Sequence, residues 1–169
     1  MKSVKYIAAM FIAAVVFSSC EKKDYPAGLS SEEHHYYSVF VPNNNTLVSY
    51  TKNQAALVKF PVQFYSTFTR SYDAVAKYVI VPDATANAVL GVDFAVVDKN
   101  GTVIAPGSDG AYSIVFPKAV QATDTIYLKL LNNPAAGTRK MEIQLKENKT
   151  DVFYVDIFST AYRRPVEIK

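Results

Sequence analysis

Residues 58 to 64 alternate without a break: Val58, Phe60, Val62 and Phe64 are large and apolar, and Lys59, Pro61 and Gln63 stand between them. A period of two places four bulky side chains on one face of an extended strand, because successive side chains point to opposite sides of the pleat. The same alternation returns at Ile126, Leu128 and Leu130, at Met141, Ile143 and Leu145, and at Phe153, Val155 and Ile157. Nowhere beyond residue 35 does a 3.6-residue amphipathic period appear. The chain therefore reads as all β, with antiparallel sheets buried on one face only.

Further strands are predicted at Tyr36 to Val41, closed by Pro42 and the Asn43-Asn44-Asn45 cluster, at Val75 to Val81, and at Ala111 to Phe116. Phe94 to Val97 and Thr102 to Ile104 flank Asp98-Lys99-Asn100-Gly101, a hairpin signal because Asn and Gly both tolerate positive φ. Pro61 lacks an N–H, which predicts an edge or a bulge for its strand, and Pro165 confines a final strand within residues 160 to 169 to an edge. About eight to ten strands at this spacing predict an Ig-like β-sandwich. A lipocalin-type barrel is the alternative, since strand number does not separate closed from open sheets.

The N-terminus carries a different signal. Lys2 and Lys5 precede an apolar run from Tyr6 to Phe17, the layout of a secretory signal peptide. The run is well short of the roughly 20 residues needed to span a bilayer. Phe17-Ser18-Ser19-Cys20 resembles a bacterial lipobox, with Phe in the position usually held by Leu, as in the looser Bacteroidota-type lipoproteins. The resemblance implies cleavage before Cys20, lipidation of that cysteine, and anchoring to the outer membrane, with display at the cell surface favoured. Cys20 is the only cysteine of the chain, so an extracytoplasmic Cys20 would otherwise be a thiol with no disulfide partner. The expected organisation is a signal peptide over 1–19, the lipidated Cys20 and a flexible linker over 20–35, and a sandwich domain over 36–169.

Of the 18 Lys and Arg residues, Lys2 and Lys5 leave with the signal, so 16 basic residues face 15 acidic ones. Near-neutral charge without a basic cluster argues against a nucleic-acid partner. The only histidines, His34 and His35, fall in the expected linker, away from any nucleophile, and read as solvated rather than as metal ligands. Asp124, Glu142 and Asp156 are the carboxylates to weigh as a glycosidase pair, but they fall in turns or at outward strand positions. No Gly-rich phosphate loop follows a strand. No enzyme activity, cofactor or metal is expected.

Aromatic residues are the better lead. The polar connection after Phe64 holds Tyr65, Phe68, Arg70 and Tyr72. Rings that reach solvent stack on sugar faces or anchor a protein partner, and an arginine beside them donates hydrogen bonds. These four residues are the candidate ligand-binding set; the alternative is that Phe68 and Tyr72 plug the end of the core. A glycan or an outer-membrane protein is the expected partner, in an accessory role to nutrient uptake. The alternative from another class is a structural or fimbria-like envelope component acting by strand pairing.

Thr85-Ala86, Gly91-Val92-Asp93-Phe94, Ile114-Val115-Phe116-Pro117 and Thr125-Ile126-Tyr127-Leu128 together resemble the pattern of Calx-beta-like domains. The resemblance implies an Ig-like sandwich. The calcium site of Calx-beta domains is not carried over, because Asp93, Asp98 and Asp109 stand singly rather than in a dense acidic loop.

Overall fold

The computed structural model describes residues 34 to 169, so the signal peptide, Cys20 and nearly all of the expected linker lie outside the described residues. The strands are β1 (His35–Phe40), β2 (Val48–Tyr50), β3 (Val58–Tyr65), β4 (Ala74–Pro82), β5 (Phe94–Val97), β6 (Tyr112–Phe116), β7 (Ala122–Leu130), β8 (Arg139–Lys146), β9 (Asn148–Lys149), β10 (Tyr154–Ile157) and β11 (Arg163–Ile168). They form two sheets, one in the order β5-β7-β3-β1-β10-β9 and the other in the order β2-β11-β8-β4-β6. Both sheets are open at their ends, which makes the fold a sandwich and not a barrel. Pairing is antiparallel except between β1 and β10 and between β2 and β11, which run parallel.

The alternating residues of β3 supply the core. Val58, Phe60, Val62 and Phe64 are all buried, and Phe64 stacks on Phe116 of the opposite sheet at 4.6 Å and 14°. Leu128, Met141, Ile143 and Leu145, from the alternations in β7 and β8, fill the same layer.

Both proline expectations are corrected. Pro61 lies inside the sheet, in a strand flanked by β1 and β7. Its carbonyl accepts the Val41 N–H at 2.9 Å, so its nitrogen faces β1 where that strand has just ended, at the cis peptide Val41-Pro42. The missing donor falls at the end of the β1–β3 ladder and forgoes at most one bond, opposite an exposed Val41. Pro165 sits one strand in from the edge, between β8 and β2. Lys169 donates to Tyr50 O at 2.9 Å and accepts from Lys52 N–H at 2.7 Å, so two-residue alternation turns Pro165 toward the β2 side. There β2 pairs with β11 only from Val166 onward.

The Asn100-Gly101 hairpin forms, with Gly101 at φ 84° and Asp98 Oδ1 accepting the Asn100 and Thr102 N–H groups. Its second arm is shorter than expected, reduced to the Val97–Val103 bridge and the Ile104 N–H to Val96 O bond. His34 and His35 also depart from expectation: β1 begins at His35, and neither ring is a solvated linker group. The His35 ring lies between Tyr37 and Tyr154, with Nε2 3.0 Å from Asp156 Oδ2.

Tyr78 of β4 is buried and stacks on its cross-strand partner Tyr112 at 5.1 Å. Burial, then Tyr112 and Asp124, push its phenol well above the ordinary value of 10.0. An unfolded Tyr78 ionises from about pH 10 while the folded one holds its proton, so this contribution to stability is full below that pH and is lost as pH rises. Urea denaturation at about pH 9 and about pH 11 should show the wild type losing roughly 1 kcal/mol more than Tyr78→Phe. Equal losses would contradict this.

Candidate functional site

The connection from β3 to β4, residues 66 to 73, is held at both ends of its turn by β6–β7 backbone. Arg70 N–H donates to Lys118 O at 2.7 Å, and Lys118 N–H donates to Asp73 Oδ1 at 2.9 Å. Lys118 and Ala119 adopt φ 56° and 45° to present those groups, with Ala119 buried beneath. Ser66 Oγ donates to Phe68 O at 2.9 Å, tightening the turn that pushes the Phe68 ring outward. Phe68 is 60% exposed and Tyr65 40% exposed.

These rings border a cleft of about 320 Å³ whose other walls come from His35, Tyr36, Tyr37, Ser66, Thr67, Arg70 and Gln121. The Arg70 guanidinium lies 5.4 Å from the Phe68 ring centre, and its Nε donates to the Tyr36 hydroxyl at 3.4 Å. Arg70 thus braces the exposed ring and ties it to the sandwich end. The Tyr65 hydroxyl donates to Gln63 Oε1 at 3.0 Å, fixing the second ring along the strand.

Tyr65, Phe68 and Arg70 therefore share one cleft, while Tyr72 does not line it. Tyr72 sits behind, stacked on Phe153 at 5.8 Å and 12°, with its hydroxyl between Tyr36 Oη at 2.6 Å and His34 Nδ1. Burial and the Tyr36 hydrogen bond raise its phenol, so it stays neutral across the physiological range. Its role is the one expected of a core plug, and it supports the wall that Tyr36 forms. His35, Tyr37 and Gln121 were not legible as site residues. Only the β1–β3 register, with Tyr37 opposite Tyr65, brings Tyr37 to the cleft, and Gln121 arrives from just before β7.

The weighed carboxylates do not converge. Asp124 is on β7 and Asp156 on β10 of one sheet, with β3 and β1 between them, whereas Glu142 is on β8 of the other sheet. Three strand spacings put the first two about 14 Å apart across the sheet. Asp156 pairs with His35, and Glu142 lies 3.6 Å from Arg163. Among the described residues no three His, Cys, Asp or Glu side chains are grouped as a metal site. Asp98 closes its turn, Asp109 pairs with Lys77, and Asp93 is buried among protein donors.

No protein-family profile matches the sequence, and no curated protein matches it. Solved structures do resemble the fold. The crystal structure of the apo-form Calx CBD1 domain aligns with a TM-score of 0.51 at 13% identity, over 79% of this chain and 97% of that one. The Calx CBD2 domain aligns with a TM-score of 0.52 at 11% identity, over 78% and 85%. At such identities the likeness concerns architecture, and the architecture is a Calx-beta-like sandwich.

Proposed function

We propose that this chain is a non-enzymatic, lipid-anchored protein of the outer membrane whose aromatic cleft binds a glycan, as an accessory module of a nutrient-uptake system. The observation that carries this reading is the pair of outward rings, Phe68 and Tyr65, at the mouth of a cleft that also holds a guanidinium and the tyrosines of β1. Sugar rings present apolar C–H faces and equatorial hydroxyls. Phe68 and Tyr65 offer flat apolar surface to the former, and Arg70, Gln121 and the tyrosine hydroxyls offer donors and acceptors to the latter. Cys20 lipidation and the surface address rest on the lipobox resemblance alone.

Affinity electrophoresis of the purified protein against plant, host and microbial polysaccharides tests the reading. The wild type should be retarded by at least one of them, and Phe68→Ala should weaken that binding by about tenfold, the cost of losing a central aromatic anchor. Tyr72→Phe should keep the retardation while costing about 1 kcal/mol of stability, because it removes one buried hydroxyl from behind the cleft. Absence of retardation on every polysaccharide, or equal retardation of Phe68→Ala, would overturn the glycan reading and point to a protein partner.

One observation favours the second reading, a structural or adhesive envelope component. With Pro61 and Pro165 inside their sheets, β6 is an edge strand, Tyr112-Ser113-Ile114-Val115-Phe116, that carries neither proline nor charge. Among the described residues no strand covers its outer side. Such an edge is open to strand addition.

A further inference from the structure

At the other end of the β1–β3 pair from the aromatic cleft lies a second cavity, of about 230 Å³. Arg164 of β11 and Lys59 of β3 line it together with Val48, Tyr50, Phe60 and other apolar groups, and no carboxylate does. Arg164 is only 3% exposed, and its guanidinium lies 5.3 Å from the centre of the Phe40 ring. Its partners are all neutral: Nη1 donates to Asn44 Oδ1 at 2.6 Å and Thr46 O at 3.4 Å, and Nη2 donates to Pro42 O at 2.7 Å. No ion pair offsets the buried charge among the described residues. Burial pulls the guanidinium below its ordinary value, while the Tyr50 phenol opposes that shift.

Of the five N–H donors on a guanidinium, these bonds use three, leaving the Nε donor and one on Nη2. Among the described residues Ser38 Oγ is the single sealed side-chain polar atom that lacks a partner. The unpartnered Arg164 Nε is therefore not walled in, and it belongs to a residue that lines the cavity. A buried cation without a counter-charge is costly, and an anion brought into contact with it recovers much of that cost.

We propose that this cavity binds a small apolar carboxylate, its oxygens taking the two unfilled Arg164 donors and its hydrocarbon part lying against Tyr50, Phe60 and Val48. The planar fork of a guanidinium matches a carboxylate in two parallel bonds. Lys59 at the rim adds a second positive charge and draws the anion in. The volume is below the roughly 300 to 1,000 Å³ of pockets for drug-sized ligands, which suits an acid of the size of benzoate and excludes an oligosaccharide. The same chemistry is offered by a free organic acid or by the carboxyl end of a peptide.

The test is an NMR titration of the purified protein with benzoate, with N-acetylphenylalanine as the chain-end probe and benzamide as the neutral isostere, following the Arg164 Nε–H and the Tyr50 ring. Benzoate or N-acetylphenylalanine should move both signals saturably, with a Kd on the order of 1 mM, and benzamide should not. Whichever acid binds more tightly identifies the source. Lys59→Gln, an exposed rim change that leaves folding intact, should weaken binding by about threefold. Arg164→Lys, where it folds, should abolish saturation. Identical responses to benzoate and benzamide, or no saturable response to either acid, would overturn the proposal, and neither outcome bears on the aromatic cleft.

Discussion

Phe64→Ala should remove about 3–5 kcal/mol of stability, a large share of the roughly 5–15 kcal/mol that holds an ordinary domain folded. Phe64 is fully buried one residue before the end of β3, between Ser38 of β1 and Ala122 of β7. Its ring stacks on Phe116 across the sandwich and packs against Tyr36 at 5.1 Å, so it joins the two sheets at the end that carries the cleft. Truncation removes the transferred apolar surface and leaves a void bounded by strands that hydrogen bonds hold in place. Urea denaturation measures the loss as a shift in midpoint at constant slope. The control is Phe68→Ala, four residues along, whose exposed ring should change stability by no more than about 0.5 kcal/mol. A Phe64→Ala loss as small as that of the control would contradict the packing described.

Asp93→Ala should cost about 2–4 kcal/mol, because two charge-assisted hydrogen bonds disappear and their part-buried donors lose their acceptor. Asp93 is 3% exposed; Oδ2 accepts the Val89 N–H and Oδ1 accepts Asn133 Nδ2, both at 2.7 Å, with Arg139 Nε 3.9 Å from Oδ1. Its backbone bonds Val89 O and the Leu131 N–H, so one residue fastens the turn before β5 to the end of β7. Asp93→Asn should cost nearly as much. An amide has one acceptor oxygen, and its NH₂ would face either the Val89 N–H or the Asn133 amide donor. Flipping Asn133 would forfeit its bond to the Ala135 N–H, which Asn133 Oδ1 accepts at 3.0 Å. Thermal unfolding of both variants checks this, and an Asn variant of wild-type stability would refute the two-acceptor account. The aspartate of the Gly91-Val92-Asp93-Phe94 motif is thus a structural acceptor in this chain.

What the sequence made legible followed from long alternations. β3, β7, β8 and β10 announce themselves because one face of each is continuously apolar, and the Asn100-Gly101 turn because its backbone demands positive φ. β2 and β9 were not legible: Val48-Ser49-Tyr50 and Asn148-Lys149 are too short and polar to show a period, and they are strands only because β11 and β10 offer edges to pair with. The prolines misled because a missing N–H excludes an interior strand only where the neighbouring ladder continues past it, and β1 ends opposite Pro61 while β2 starts after Pro165. In the cleft, the crowding of aromatics around Tyr65, Phe68 and Arg70 was visible along the chain. The contributions of His35 and Tyr37 depended on strand register, and the withdrawal of Tyr72 depended on a hydroxyl network with Tyr36 and His34. Nothing along the chain distinguishes Arg164 from the adjacent Arg163. Alternation along β11 separates them: Arg163 is exposed and Arg164 turns inward.

The central claim is that the outward rings of the cleft take up a glycan. The most direct measurement is an NMR titration of the purified protein with oligosaccharides cut from the polysaccharide that retards it, following the ring protons of Tyr37, Tyr65 and Phe68. The account predicts saturable shifts confined to those rings and to the Arg70 side chain, with the Tyr50 and Tyr78 rings unmoved. Shifts that leave Tyr65 and Phe68 unmoved while appearing elsewhere, or no saturable shift at all, would contradict it.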